Sequence, residues 1–259
     1  YIPGPDMGTD EASMAYIHDE ISRAVGLPRE LGGIPLDEVG ATGYGLAECA
    51  DAAKDFINLD LSGARLTMEG FGNVGKPAAR LLSEKGVNLI AASDTKGTIY
   101  NKSGLDVEEL IRIKENGGSV INYKDGEVLK TSDLLMISTD IFIPAARPDV
   151  ITEANSDVLD AKLVLEGANI PITENAEKML HDRGILVVPD FVANAGGVIT
   201  AAVEYHGGAE TAAFNRIKST IRRNTKDILD KVYSEKKYPR ETAISIAKER
   251  VLHAMKFRK

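Results

Sequence analysis

The stretch from Arg65 to Asp94, RLTMEGFGNVGKPAARLLSEKGVNLIAASD, decides the fold of this chain. A short apolar run meets Gly70, Gly72 and Gly75, an amphipathic segment follows, and a second apolar run ends on Asp94. This order predicts a strand, a glycine turn, a helix and a second strand. In such a unit the first glycine permits a tight turn, the second lets the backbone approach a pyrophosphate, and the third lets the helix pack on the strand.

The glycine turn predicts a dinucleotide-binding site. The helix after it opens near Asn73, where free N–H groups and the helix dipole favour a negatively charged phosphate. Asp94 closes the next strand about 20 residues past Gly75, where a dinucleotide fold places the acid that contacts a ribose. The alternative is an ordinary tight turn between strand and helix. The strand before the turn, the helix after it and the acid together favour the dinucleotide site.

The composition narrows the class of protein. The chain has 259 residues, 43% of them hydrophobic and 27% charged, as in globular proteins that are not membrane-embedded. A net charge of −8 without a basic stripe argues against nucleic acid, and no apolar run is long enough for a membrane span. The single cysteine, Cys49, excludes an internal disulfide and favours a cytoplasmic enzyme. No metal site is expected.

Apolar runs alternate with helix-like segments along most of the chain. Leu134–Ser138, Lys162–Asn169 and Ile185–Asp190 have the composition of strands buried in a parallel sheet. Helices are predicted over residues 9–24 and from Gly197 to the end of the chain. The alternation predicts an α/β fold with a doubly wound, Rossmann-type, mostly parallel sheet.

Polar side chains recur where the predicted strands end. Thr139 and Asp140 follow one apolar run, Asn169 ends another, and Asn194 follows the third. In an open α/β sheet, ligands bind beyond the carboxyl ends of the strands, so these residues are predicted to share one crevice. For each residue alone, a role in a turn is the alternative.

Seven stretches carry a resemblance to the glutamate/leucine/phenylalanine/valine dehydrogenase family. They span nearly the whole chain: PDMGTDEASMAYIHDE, ATGYGLAECADAA, EGFGNVGKPAARLL, SDTKGTIYNKSGLDVEEL, DIFIPAA, VLEGANIPIT and GILVVPDFVANAGGVITA. The resemblance implies reversible, NAD(P)-dependent oxidative deamination of L-glutamate to 2-oxoglutarate and ammonium. It also implies a homo-oligomer, a hexamer in the intact protein.

The resemblance assigns roles position by position. The residues implied at the pyrophosphate are Gly70, Gly72, Asn73, Val74 and Gly75; Asp94 is implied at the adenosine ribose; and those implied at the nicotinamide carboxamide and ribose are Thr42, Asn169 and Asn194. Asp6, which local sequence alone interprets as a turn or capping residue, matches the aspartate that moves a proton to and from the substrate nitrogen. The substrate is expected to contact Asn194, Val198 and Ala201.

The match also predicts how the chain is divided. Residues 1–34 are expected to be a remnant of a substrate domain with its hinge, 35–238 the dinucleotide-binding domain, and 239–259 a helix returning toward the substrate domain. In the family, lysines of an earlier domain activate water and hold the substrate carboxylate, and no such segment precedes Asp6. The chain is therefore expected to be a carboxyl-terminal portion that binds cofactor and turns over little by itself.

Two points of specificity stay open. Glutamate enzymes of the family usually carry a serine where this chain has Ala201, so a branched-chain or aromatic amino acid dehydrogenase is an alternative, as is a non-catalytic dinucleotide-binding subunit. Asp94 argues for NAD because a carboxylate repels a 2′-phosphate, whereas Lys96 can pair with that phosphate. We expect NAD, with NADP possible as a second cofactor.

Overall fold

The structure, a computed structural model, describes residues 1–6, 8–36 and 38–258. Met7 of the PDMG motif, Asp37 of the predicted cofactor domain and Lys259 of the predicted terminal segment lie outside the described residues.

Seven strands of the described chain form one sheet. They are β1 (Arg65–Glu69), β2 (Asn88–Asp94), β3 (Gly97–Tyr100), β4 (Glu127–Leu129), β5 (Ile141–Pro144), β6 (Leu163–Leu165) and β7 (Leu186–Val188). Their order across the sheet is β4-β3-β2-β1-β5-β6-β7. β1 pairs in parallel with both β2 and β5, β5 pairs in parallel with β6, and β6 pairs in parallel with β7. β3 pairs antiparallel with both of its neighbours, β2 and β4. The predicted mostly parallel, doubly wound sheet is confirmed. The strand order reverses at β1, with β2 on one side and β5 on the other, and such folds bind ligands at this switch point.

Helices cover both faces of this sheet. They are α1 (Glu11–Ile21), α2 (Ala41–Ala53), α3 (Gly75–Glu84), α4 (Val107–Glu115), α5 (Glu174–Asp182), α6 (Asp190–Ala193), α7 (Gly196–Tyr205), α8 (Glu210–Glu235) and α9 (Pro239–Met255). Side-chain caps set several starts: Asp10 accepts from Ser13 N at 2.8 Å, Asp106 from Glu109 N at 3.0 Å and Thr173 from Ala176 N at 3.4 Å. Each cap satisfies a backbone N–H that has no partner within its helix.

The apolar core lies on both sides of the sheet. On one side, Leu66 and Met68 of β1 pack in the same buried cluster as Leu46 of α2 and Leu82 of α3. On the other, Phe142, Val164 and Leu180 belong to a second cluster. Because both faces are covered, the strands carry nearly continuous apolar residues, which is why their positions are readable in the sequence.

One predicted strand is wrong. Thr131–Met136 is a 3₁₀ helix, and the strand is the next apolar run, Ile141–Pro144. Thr139 and Asp140 therefore lie at the beginning of β5, at the edge of the sheet opposite the carboxyl ends. The run IFIP is the one fully buried between β1 and β6, while Met136 is 62% exposed. Local composition does not distinguish two apolar runs so close together.

Asp140 fixes the beginning of β5 against the neighbouring strands. Its carboxylate accepts from the N–H of Arg65 at 2.9 Å and pairs with Lys162 Nζ at 3.0 Å. These contacts join the amino ends of β1 and the loop before β6. The Thr139 hydroxyl donates to Arg65 O at 2.8 Å. Thr139 is thus not at the carboxyl end of a strand, where it was expected, because it is buried at the other end of β5; its contact with a cofactor stays a prediction.

The last helix packs on the sheet domain through its first half. Ala243 and Ile246 are buried against the core shared with α8, while Val251, farther along the same helix, is 59% exposed. The proposed division at 34/35 and 238/239 remains a prediction, but the beginning of α9 forms part of the same core as the sheet.

Candidate functional site

Two of the three turn glycines are required by the fold itself. Gly70 has a φ of +89°, and a Cβ built on it would lie 2.6 Å from Ala146 Cβ. A Cβ on Gly75 would lie 2.1 Å from the carbonyl oxygen of Gly70. The first glycine therefore makes the turn and its contact with the loop after β5, and the third lets α3 approach that turn.

Gly72 has no such explanation within the protein. A Cβ at this position would meet no heavy atom of the described residues within 4 Å, and its φ is not in the left-handed region. Among the glycines that the structure describes, Gly72 alone combines open space with an ordinary backbone. The protein thus leaves room above the turn without needing glycine there for its own folding.

The N-terminus of α3 points hydrogen-bond donors at this space. The N–H groups of Asn73 and Val74 have no acceptor among the described residues, and no side chain caps the helix. Lys76, in the first turn, makes no ion pair within the described chain. Unbonded N–H groups, the helix dipole and a nearby cation together favour an anion such as a phosphate. An open cleft of about 580 Å³ extends from Asn73 and Lys76 toward Pro28 and Arg29.

Asp94 is held by four donors from its own chain. Its Oδ1 accepts from Lys96 N at 2.9 Å and Ser119 Oγ at 2.8 Å, and its Oδ2 from Lys114 Nζ at 2.8 Å and Val120 N at 3.0 Å. Partial burial would raise the pKa of Asp94, but these bonds, led by the one from Lys114, lower it overall. Both oxygens have their two lone-pair positions filled, and Lys114 neutralises the charge. The predicted ribose contact would have to replace one of these bonds.

Asn169 and Asn194 are in direct contact. Asn194 Nδ2 donates to Asn169 Oδ1 at 2.9 Å and lies 3.3 Å from Ala168 O. One residue follows β6 and the other follows β7, so the sequence-based expectation that these strand ends share one crevice agrees with the geometry.

Thr42 lies beside the same loops. It is the second residue of α2, and its Oγ1 would be 3.1 Å from a Cβ on Gly197. A Cβ on Gly196 would lie 2.0 Å from Ala41 O, so glycines allow the first turns of α2 and α7 to touch. The three residues expected at the nicotinamide therefore come from three elements that meet here.

Glu69 is a crevice residue that the sequence analysis missed. It ends β1, directly before Gly70, and is 7% exposed. Burial raises the pKa of Glu69, although the N–H of Ala146 donates to its Oε2 at 3.1 Å and Arg147 Nε lies 4.0 Å from Oε1. The sequence signal that could have identified Glu69 is its position directly before Gly70, the first glycine of the turn. The carboxylate holds the loop after β5 against the glycine turn.

The predicted substrate residues on α7 differ in exposure. Val198 is 75% exposed and Ala201 is half-buried. Thr200 is fully buried, and its hydroxyl donates to Gly196 O at 3.0 Å. Thr200 therefore faces the helix interior and does not take the place of the serine expected at position 201.

Asp6 lies in an exposed turn before α1, where its N–H donates to Thr9 Oγ1 at 2.9 Å. The neighbouring chain is connected to α7: a Cβ on Gly26 would lie 2.5 Å from Pro5, and Glu204 of α7 accepts from Gly26 N at 2.8 Å and Leu27 N at 3.0 Å. The segment that carries Asp6 is thus attached to the helix that follows Asn194. Its proton-transfer role stays a prediction.

The described residues offer neither a metal-binding cluster nor a membrane-spanning helix. They contain no group of His, Cys, Asp and Glu side chains arranged to hold a metal ion. None of their helices is both long and apolar enough to span a bilayer. Cys49 is fully buried, and burial raises the pKa of its thiol to about 12, as expected for a packing residue.

Comparison with known proteins gives a consistent family. The sequence profile for Glutamate/Leucine/Phenylalanine/Valine dehydrogenase matches residues 32–259. A glutamate dehydrogenase of Aeropyrum pernix is 39% identical over 99% of this chain and 66% of its own length. An NADP-specific glutamate dehydrogenase of Saccharolobus shibatae is 36% identical over 99% of this chain and 64% of its own length. A hetero-hexameric glutamate dehydrogenase of Thermus thermophilus, solved in a Leu-bound form, superimposes with a TM-score of 0.88 at 26% identity, covering 100% of this chain and 64% of that one.

Proposed function

Because the chain belongs to the Glutamate/Leucine/Phenylalanine/Valine dehydrogenase family, we propose that it binds NAD(P) for the oxidative deamination of an amino acid, L-glutamate. The chain spans about two thirds of the length of the relatives it matches, 66% for the Aeropyrum pernix protein. The observation that carries the proposal is Gly72, where no heavy atom of the described residues lies within 4 Å of the place that a side chain would take.

Different residues of the site would hold the two parts of the cofactor. The turn at Gly72 and the free N–H groups of Asn73 and Val74 would hold the pyrophosphate. The amides of Asn169 and Asn194, with Thr42 beside them, would hold the nicotinamide end. A nicotinamide held there would supply the acceptor for the hydride that leaves the amino acid Cα. Fixing that ring against the substrate is how a rigid crevice contributes to the rate.

Removal of a proton from the substrate nitrogen is assigned to Asp6. The support is its match to the family motif and the connection of its segment to α7 through Glu204. A general base must reach the proton that it accepts, so the substrate would bind between Asp6 and the exposed α7 residue Val198.

We propose that NAD and NADP both bind. Asp94 is saturated by internal donors and neutralised by Lys114, so it neither offers a free acceptor to a ribose 2′-OH nor strongly repels a 2′-phosphate. Lys96 is exposed and makes no ion pair within the described chain, which leaves it available to a phosphate. A relative with 36% identity is NADP-specific. Fluorescence titration should give Kd values for NADH and NADPH within about tenfold of each other.

Glutamate is the proposed substrate because relatives with 39% and 36% identity are named glutamate dehydrogenases. Ala201 offers no hydrogen bond to a side-chain carboxylate, and Thr200 is turned inward. A branched-chain or aromatic amino acid is therefore the second candidate. For the assembly, the support for a hexamer is the Thermus thermophilus structure, which is described as hetero-hexameric.

The experiment is to titrate NADH into the chain and to assay NAD reduction with glutamate, leucine and phenylalanine. Saturable NADH binding and a preference for glutamate support the proposal. The same assay tests whether the chain alone turns over little. Absence of NADH binding would contradict the cofactor assignment, while binding with activity on leucine or phenylalanine would contradict only the substrate. Binding without activity in a longer gene product would favour the non-catalytic subunit.

A further inference from the structure

Arg240, at the beginning of α9, is surrounded by three buried carboxylates. Its Nη2 lies 2.8 Å from Glu166 Oε2, its Nε 2.6 Å from Glu177 Oε1 and its Nη1 3.0 Å from Asp190 Oδ1. The arginine side chain is 17% exposed, and the carboxylates are between 0% and 9% exposed. The guanidinium donates to Glu166 and Glu177 and makes an ion pair with Asp190, in fixed directions that a lysine ammonium does not reproduce.

This cluster is connected to both nicotinamide-side asparagines through Asp190. Asp190 Oδ2 accepts from the N–H of Ile170, the residue after Asn169, at 2.8 Å. The carbonyl oxygen of Asp190 accepts from Asn194 N at 2.8 Å. One residue thus holds the loop of Asn169 and the helical turn that presents Asn194, and Arg240 holds that residue.

The Asn169 loop needs an external restraint. Ile170 has a φ of +50°, an unfavourable conformation for a β-branched residue, and its side chain is 59% exposed. Packing of the side chain therefore does not compensate for the strain. The hydrogen bond to Asp190, together with that from Asp149 N to Ile170 O at 3.0 Å, is what maintains this backbone. Such strained residues persist at functional sites only when their surroundings determine the conformation.

We propose that Arg240 is a positioning residue for the nicotinamide end of the cofactor site. It holds Asp190, and through it the contact between Asn169 and Asn194, while its guanidinium makes no hydrogen bond to either asparagine within the described chain. The proposal rests on the function proposed above, because it concerns the geometry of the same site.

The test compares two ligands that share only part of the site. NADH reaches the whole crevice, whereas ADP carries the adenosine and pyrophosphate but no nicotinamide. In Arg240→Lys, one ammonium replaces a guanidinium that contacts three acidic side chains, so Asp190 loses or shares the ion pair that restrains its Oδ1. We expect the Kd for NADH to rise about tenfold and the Kd for ADP to stay unchanged. Arg250→Lys is the matched control, since Arg250 is on the same helix and pairs at the surface with Asp227 at 3.0 Å.

Three results would overturn the proposal. The first is a Kd for NADH that is unchanged in Arg240→Lys, and the second is an equal rise of the Kd values for NADH and ADP, which indicates a general loss of fold. If the unaltered chain binds neither ligand, the proposed function fails as well, so the two failures are distinguishable. Thermal unfolding is measured on each variant.

Asp190→Asn serves if Arg240→Lys does not fold. Whichever way its amide is turned, an asparagine presents an oxygen to only one of the two partners, Arg240 or the N–H of Ile170. The same loss of NADH affinity with retained ADP binding is expected, and unchanged NADH affinity would reject the role of Asp190.

Discussion

Replacing Gly72 by alanine should separate stability from cofactor binding. The added methyl group meets no atom within 4 Å, and the backbone is not in the left-handed region. The folded state is therefore not disturbed, while the unfolded chain loses conformational freedom. We expect the free energy of unfolding to rise by about 0.4–1 kcal/mol, as for glycine-to-alanine changes at compatible positions. For a chain of this size, Tm should rise by roughly 1–4 °C.

The same methyl group should weaken dinucleotide binding. If a pyrophosphate lies against the bare main chain at Gly72, the methyl overpacks a filled site, which costs about 1–3 kcal/mol. The Kd for NADH should then rise by about 5- to 150-fold. Valine, with two more methyl groups, should abolish measurable binding. NADH fluorescence titration and thermal unfolding of the same samples measure both effects.

Gly75→Ala is the contrasting variant. Its Cβ would lie 2.1 Å from Gly70 O, so this change should lower the free energy of unfolding along with binding. A Gly72→Ala protein that is as stable as expected and binds NADH with unchanged affinity would refute the reasoning, because it would show that no ligand occupies the space above the turn.

Three further predictions concern charge, cofactor choice and the corrected strand. Burial, followed by the nearby Glu177 carboxylate, raises the pKa of Glu166 to about 10. Between about pH 5 and pH 10 the folded state then retains a proton that the unfolded state has lost. Through this group, each rise of one pH unit in that range should lower the free energy of unfolding by about 1.4 kcal/mol. Glu166→Gln should remove that slope, and urea unfolding curves that shift equally with pH in both proteins would contradict this. Lys96→Ala should raise the Kd for NADPH about fivefold, the size of an exposed ion pair, without changing that for NADH; equal effects would exclude a 2′-phosphate contact. Thr139→Val should lower the free energy of unfolding by about 1–2 kcal/mol, since its hydroxyl donates to Arg65 O, yet leave NADH titrations unchanged. A weakened Kd would restore Thr139 to the site.

Much of the architecture was predictable because local pattern and packing agree. The glycine unit from Arg65 to Asp94 forms β1, the turn, α3 and β2, and the Asp106 and Thr173 caps begin their helices. The contact between Asn169 and Asn194 followed from a general property of parallel sheets, whose strands end at one edge. β4, with only three residues, gave no recognisable pattern.

The sequence by itself determined which segments are strands and helices in most of the chain, and that polar residues gather beyond β6 and β7, because apolar periodicity and strand direction are local properties. Tertiary structure alone decided how charged groups are used. The Asp94 carboxylate accepts hydrogen bonds from Lys114, Ser119 and Val120. Arg240 donates to Glu166, which lies 74 positions earlier in the sequence. Hydrogen-bond donors that arrive from distant segments leave no periodic pattern near their acceptors, so only the folded arrangement determines which carboxylate is free for a ligand and which is already bound.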